Sequence, residues 1–372
     1  MIKIGVLTSS RADYGIYLPL LKKLKKDKQI ELTIIAFGTH LSKIHGHTIS
    51  EIIAAEFEKI DTIESLLISD SANGIASSYA LTATKFAEYW KYNKDYDLVF
   101  ALGDRYEMAA AVTASIPYKI KFAHIHGGET TLGAIDNIYR HSISLTSYYH
   151  FVSTAQFGQR LERLLDIPEN IHHIGSLSLE NIVDLNLLTI DEFNEKWNID
   201  LSIEAILVTV HPETVNYKLN EGYCKELINS LKVLSNKYQL IITMPNADTS
   251  GLIYRNSLEK LAKENRAIKL IENFGTQSYF TCMKYSKLVL GNSSSGILEA
   301  ASFNKYVINI GDRQKGRLTN LNVIHVPFIT EQILEQAINY VGKIYNGVNI
   351  YYKAKPSEQI INIIKQEYAT IL

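Results

Sequence analysis

Twice along the chain, short apolar runs rich in β-branched residues alternate with segments of helical period. This doubled rhythm restricts the fold more than any other feature. A run of four to eight apolar residues, bounded by turn residues, is the pattern of a strand covered on both faces. Strands separated by helix-length segments pair in parallel through βαβ crossovers. The first set is expected at Ile2–Thr8, Leu32–Phe37, Leu98–Leu102, Phe122–Ile125 and Tyr149–Val152. The second is expected at Ala205–Val210, Leu240–Met244, Ala267–Leu270, Leu288–Leu290 and Val307–Ile310. Helices are expected at Tyr17–Lys26, Ile75–Tyr92, Ile190–Trp197 and Ser357–Tyr368. The class is therefore α/β, with two consecutive doubly wound domains in 372 residues and a junction near Gly175–Asn186.

Composition narrows the function classes. Formal charge is -1, which gives no electrostatic reason for a nucleic-acid or membrane-surface partner. Two cysteines, Cys224 and Cys282, provide neither a disulfide framework nor metal-ligand spacing. The opening apolar run is far too short for a signal segment or a membrane span and reads as a first buried strand, so a cytoplasmic location is expected.

Ligands of doubly wound sheets sit beyond the carboxyl ends of the strands, and the distinctive polar residues fall there. Ser9-Ser10-Arg11-Ala12-Asp13-Tyr14-Gly15 follows the first strand, just before a helix, as either an anion cradle with Arg11 or a serine cap with a surface arginine. No G-x-G-x-x-G or G-x-x-x-x-G-K-[ST] follows any strand, which removes the main support for dinucleotide and P-loop readings. Gly103-Asp104-Arg105-Tyr106-Glu107 follows Leu98–Leu102, and Asp104 there is either a base with a pKa raised by desolvation or a helix cap. His124-Ile125-His126-Gly127-Gly128-Glu129 and then Asp136 with Arg140-His141 arrive at the same edge, so acids and bases converge. No third metal ligand has suitable spacing, and no metal is expected.

In the second half, His211-Pro212-Glu213-Thr214 ends the first strand. The sharpest signal is Gly291-Asn292-Ser293-Ser294-Ser295-Gly296, a strand running through a small-residue turn into a helix, with hydroxyls and amides aimed at one anion. Glu299 lies where it would accept hydrogen bonds from ribose. Gly311-Asp312-Arg313-Gln314-Lys315-Gly316-Arg317 adds three cations, suited to clamping a diphosphate as it departs.

As an ordered set, from Ser10 to Arg317, these motifs resemble the hydrolysing UDP-N-acetylglucosamine 2-epimerases. The resemblance implies the GT-B fold, two Rossmann-like domains around a deep cleft. It divides the chain into residues 1–178 and 179–354, with 355–372 crossing back onto the first domain. It also implies conversion of UDP-N-acetylglucosamine to UDP and free N-acetylmannosamine, with no metal or redox cofactor, for sialic-acid biosynthesis. The C2 proton of the sugar is too weakly acidic to remove until the C1–O bond to UDP breaks; elimination then gives a glycal that water hydrates.

By the same resemblance Asp104 and Asp136 lie near C2. Arg11, Ser293, Ser294, Arg313 and Arg317 surround the diphosphate, Glu299 meets the ribose, His211 stands near the phosphates and Tyr279 stacks on uracil. Arg105, Arg140, Asn246, Ser295 and Gly296 complete the binding set. Some relatives carry a catalytic glutamate where this chain has His126, so His126, Glu129 and Asp104 all remain candidates for moving the proton. UDP-N,N'-diacetylbacillosamine is an alternative substrate. A GT-B glycosyltransferase or a nucleotide-sugar-binding regulator would use the same diphosphate site, but the acid–base cluster is surplus to a regulator. A two-fold homodimer is expected.

Overall fold

In the computed structural model, residues 1–44, 46–69, 71–132, 135–166, 169–213, 217–245 and 251–369 are described, with only the backbone at 183, 184, 217 and 369. The chain divides into two compact units. One comprises Met1–Glu129, Asp136–Asn181 and Tyr351–Leu372; the other comprises Thr130–Ile135 and Ile182–Ile350.

The first unit is built on a parallel sheet of seven strands: β1 (Ile2–Thr8), β2 (Ile30–Phe37), β3 (Lys59–Ile63), β4 (Leu98–Leu102), β5 (Phe122–Ile125), β6 (Tyr149–Val152) and β7 (Ile171–His173). Their order is β3-β2-β1-β4-β5-β6-β7. Alternate residues face opposite sides. Ile4 and Val6 of β1 and Phe100 of β4 enter a core shared with Leu20, Leu21 and Leu24 of the helix Arg11–Lys26 and Ile360, Ile361 and Ile364 of the helix Pro356–Ala369. Leu7 and Val99 enter the opposite core, with Phe86 and Trp90 of the helix Ala72–Tyr92 and Met108 of the helix Tyr106–Thr113. Both side chains of the Phe86–Trp90 pair are fully buried, so truncating either costs about 3–5 kcal/mol.

The second unit repeats the plan with β8 (Ala205–Thr209), β9 (Gln239–Thr243), β10 (Ile268–Ile271), β11 (Leu288–Gly291), β12 (Val307–Ile310) and β13 (Val323–Val326). All pair in parallel, in the order β10-β9-β8-β11-β12-β13. Each unit thus reverses direction beside its first strand, between β1 and β4 and between β8 and β11. Those reversals are the places where doubly wound sheets open a binding crevice.

The α/β class expected from the sequence is the one observed. The strands that periodicity misses, β3, β7 and β13, are all edge strands. An edge strand lacks a neighbour on one side and tolerates polar side chains, so Lys59, Asp61 and Thr62 of β3 give no apolar run.

The first helix starts six residues earlier than its apolar period suggests, at Arg11 rather than Tyr17. Ser10 caps it, its hydroxyl accepting from the Asp13 amide at 3.3 Å. Pro19 lies inside this helix and cannot donate to the Gly15 carbonyl; that carbonyl accepts instead from the Asn181 side chain at 2.7 Å. The helix therefore survives its proline because a side chain supplies the missing donor.

Candidate active site

At the end of β1 the expected anion cradle is already filled. The Asp13 carboxylate accepts from the Ser9 amide at 3.0 Å and from the Ser9 hydroxyl at 2.6 Å. Asp13 is buried, and burial raises its pKa. The motif lies in the first turn of the helix rather than before it, which carries Asp13 back over the strand end. Arg11, half-exposed, pairs with Glu51 at 3.0 Å.

The next strand ends differently. Gly103 takes φ +76°, and Asp104 beyond it meets the guanidinium of Arg140, a fully buried side chain. Of the two readings of Asp104, a base raised by desolvation or a helix cap, the second is not seen: the side chain pairs with Arg140, and the following helix has no side-chain cap. Arg140 also donates to the Glu129 carbonyl at 3.2 Å, so one cation ties the β4 turn to the β5 turn. It comes from the helix Asp136–Thr146, whose first residue is the half-buried Asp136. Arg105 turns toward Glu107, donating to its two carboxylate oxygens at 2.8 and 3.3 Å.

Beyond β5 the two histidines separate by role. His124 sits on the strand, wholly buried, with Nε2 2.8 Å from the Gly103 carbonyl and Nδ1 2.9 Å from the Ser144 hydroxyl. The carbonyl can only accept, so Nε2 donates and Nδ1 accepts; burial lowers the pKa to about 3. This neutral ring braces the Gly103 turn. His126 lies past the strand end at φ +65°, so strand alternation does not fix its direction. Its Nδ1 is 3.8 Å from Glu129 Oε1, and Ser153 donates to the same oxygen at 2.9 Å.

The second unit's polar groups gather where β8 and β11 end. Gly291 has φ +141°, and a Cβ there would lie 1.9 Å from the Thr209 carbonyl, so only glycine permits the approach. Asn292 follows and clasps His211 at two points: it accepts from the His211 amide at 2.7 Å and donates to the His211 carbonyl at 2.9 Å. Burial, and then the charge of Arg313, lowers the His211 pKa to about 3. Ser293 caps the short helix Ser294–Leu298, accepting from the Ser295 amide at 3.3 Å, and Glu299 ends it. Gly296 packs against β12, where a Cβ would come within 3.0 Å of Val307.

The loop after β12 is fastened to these elements. The Asn292 carbonyl accepts from Gln314 at 2.8 Å and from Arg313 at 3.5 Å, and buried Glu213 accepts from the Asp312 amide at 2.6 Å. Arg317 donates to the Thr131 hydroxyl at 3.3 Å. Tyr279, on the helix Gly275–Tyr285, places its hydroxyl 3.4 Å from that of Thr209, and the charge of Glu299 acts on it. The sequence thus brings His211, Ser293, Arg313, Tyr279 and Glu299 to one end of one sheet. Asn246 lies outside the described residues.

A family model described as UDP-N-acetylglucosamine 2-epimerase matches residues 22–365. The chain belongs to that family. It is 38% identical over 323 residues, 87% of this chain and 83% of the relative, to a protein of Campylobacter jejuni named GDP/UDP-N,N'-diacetylbacillosamine 2-epimerase (hydrolyzing). It is 34% identical over 366 residues, 98% of this chain and 95% of the relative, to the UDP-N,N'-diacetylbacillosamine 2-epimerase (hydrolyzing) of Legionella pneumophila. The solved UDP-GlcNAc 2-epimerase of Neisseria meningitidis, bound to UDP-GlcNAc, aligns with a TM-score of 0.80 at 18% identity, covering 98% of this chain and 100% of that one. The fold of this epimerase is therefore GT-B, as the motifs implied, and its class is that of a hydrolysing UDP-sugar 2-epimerase. The readings as a glycosyltransferase or as a binding protein without turnover give way to it. Among the described residues no helix is long and apolar enough to cross a membrane.

Several groups that brace these turns escape a search for reactive residues. Glu107, Glu213, Asn292 and Gln314 stand inside the motifs, but nothing in their spacing tells that they act as ties. Ser153 lies outside every motif, and only its place at the end of β6 marks it.

Proposed function

We propose that this enzyme converts UDP-N-acetylglucosamine to UDP and N-acetylmannosamine, by eliminating UDP and then hydrating the glycal. The observation that carries the reading is the buried Arg140, joined both to the Asp104 carboxylate and to the Glu129 backbone. A fixed cation between two acid-bearing turns suits a site that must keep carboxylates charged and aimed at neutral pH.

In this reading the second unit holds the nucleotide. Arg313, Arg317, Ser293 and Ser294 take the diphosphate, with Ser295 and Gly296 allowing the close approach, Glu299 meeting the ribose, and Tyr279 and Asn246 the base. His211, neutral because it is buried, donates or accepts a hydrogen bond near the phosphates rather than presenting a charge. The first unit holds the sugar, with Asp104, Asp136, His126 and Glu129 toward C1 and C2. As the C1–O bond breaks, its electron pair passes to the β-phosphate oxygen; the C2 proton goes to a base and a C1–C2 double bond forms. Water then adds its hydroxyl at C1, and a proton reaches C2 from the opposite face.

The names of the Campylobacter and Legionella relatives support a second reading, in which the sugar is N,N'-diacetylbacillosamine. The chemistry is the same, and selection rests on contacts at C4 and C6. Either reading includes a cytoplasmic two-fold dimer supplying a sialic-acid-like sugar. Incubation of each nucleotide sugar in deuterated water, followed by NMR of the products, tests both. The expected result is UDP with a 2-epimeric free sugar deuterated at C2; full retention of the C2 hydrogen refutes elimination. The ratio of kcat/KM for the two substrates decides between them.

A further inference from the structure

Resting on the 2-epimerase reading, we infer that Glu129 acts on the sugar through His126, as a carboxylate–imidazole dyad anchored by Ser153, and that His126 is the group that takes the C2 proton. Three features of the β5 turn point the same way.

The first is the backbone of His126. A side chain at φ +65° sits in the left-handed region, at a cost of about 1 kcal/mol. Such strain persists only where the surroundings impose it, and it concentrates at functional positions. Here the His126 amide is held to the Phe151 carbonyl at 3.0 Å. Gly128 follows at φ +73°, where a Cβ would meet the Phe157 carbonyl at 2.4 Å. The Phe151 and Phe157 carbonyls thus confine the turn, which sets Nδ1 of the imidazole toward Glu129 and Nε2 toward Ser176.

The second is the order of partners. Ser153 donates to Glu129 Oε1 at 2.9 Å, and the same oxygen stands 3.8 Å from His126 Nδ1. That spacing is within ion-pair range and one small side-chain adjustment from a hydrogen bond, which such sites often complete only with substrate bound. A carboxylate facing Nδ1 keeps the proton there and leaves the lone pair on Nε2. Nε2 faces the Ser176 hydroxyl at 3.5 Å, too long for a strong hydrogen bond. Ser176 is itself held by Ser178 at 3.0 Å.

The third is burial. Glu129 is 2% exposed and His126 6%, so the carboxylate lies deeper than the ring. The charges facing the pair are Arg140, whose guanidinium carries Asp104, and Arg160, which donates to the Gly128 carbonyl at 2.9 Å and interacts with Glu129. His173 approaches the Ser153 backbone, and Lys353 lies beside His173. Arg160 thus acts on the Glu129 carboxylate while Arg140 holds its backbone, and the carboxylate is placed to stabilise an imidazolium. In the step itself, the C2–H electron pair forms the C1–C2 double bond and the proton passes to Nε2. The C1–O pair leaves with UDP.

The test is a double-mutant cycle on kcat, with C2 deuteration as a second readout. Glu129→Gln and His126→Asn are each expected to lower kcat roughly 10- to 1000-fold while KM stays within about threefold. In the His126→Asn background, Glu129→Gln is expected to cost less than about threefold more, because the carboxylate has lost the group it acts on. Glu129→Gln should also move the acid limb of kcat/KM to lower pH, since the imidazolium loses its counter-charge; a merely structural carboxylate would leave the limb in place. Ser153→Ala, which keeps both members, should lower kcat in the native background and not in His126→Asn, and it serves if Glu129→Gln fails to fold. Multiplicative losses, or an unmoved limb, overturn the dyad. A native protein that releases no UDP from either nucleotide sugar overturns the 2-epimerase reading instead.

Discussion

The carboxamide of Asn292 and the backbone of His211 exchange two hydrogen bonds, at 2.7 and 2.9 Å, across 81 residues of chain. Both groups are buried, and the pair locks the end of β11 to the end of β8. Replacing Asn292 by Ala leaves a buried amide and carbonyl of His211 without these partners, each worth about 1–3 kcal/mol. The variant is expected to lose about 2–4 kcal/mol in urea unfolding. UDP affinity should fall with it, read by calorimetry; an unchanged midpoint refutes the clamp.

Asp104 pairs with a buried guanidinium and, in the proposed site, faces the reacting carbon rather than the nucleotide. Asp104→Asn is therefore expected to lower kcat about 100-fold or more. UDP affinity in a direct titration should stay within about twofold, because only interactions specific to the transition state are removed. A variant with normal turnover and weakened UDP binding would reverse the assignment.

Arg313 stands on the other side of this division. It leans on the Asn292 carbonyl and its charge is felt by His211. Arg313→Ala removes a charge-assisted contact to the diphosphate, worth about 1.5–3 kcal/mol, and is expected to weaken UDP binding roughly 10- to 100-fold. Arg313→Lys should recover only part of this, since a point charge replaces a planar fork. Equal UDP affinity in all three proteins counts against a phosphate role.

Acid should unfold this protein early. Burial lowers the pKa of His124 and His211 to about 3 and of His40 and His150 to about 4, from 6.5. The unfolded chain takes up these protons near pH 6.5 and the folded one does not. Stability is therefore fully present above pH 6.5 and falls as the pH drops toward the folded values. Each such imidazole contributes a slope of at most about 1.4 kcal/mol per pH unit. Urea midpoints at pH 8, 6 and 5 should decline in that order; a midpoint independent of pH would refute the linkage.

What the sequence reveals follows physical lines. Central strands covered by helices on both faces must be apolar throughout, so β1, β4, β5, β8 and β11 announce themselves. Edge strands β3, β7 and β13 are free of that demand and stay hidden. The Ser-rich turn and the Gly103-Asp104-Arg105 turn are legible because each follows such a strand, where ligands of these sheets lie. Of the two readings of the Ser9–Gly15 motif, the structure shows the serine cap, with Ser10 and Asp13 starting the helix at Arg11. Ties between distant segments, such as Asn292 with His211 or Ser153 with Glu129, are not legible at all. They depend on which strand ends become neighbours, and periodicity carries no information on that.

The helix Pro356–Ala369 lends Ile360, Ile361 and Ile364 to the same core as Ile4 and Val6. On the ribosome those isoleucines emerge after every strand of both sheets. The half of the protein whose synthesis starts first is thus the half whose interior is closed last. Until residues 360–364 have left the ribosome, one side of β1 and β4 waits without its final cover, in a crowded cell where exposed apolar surface invites chaperones and aggregation.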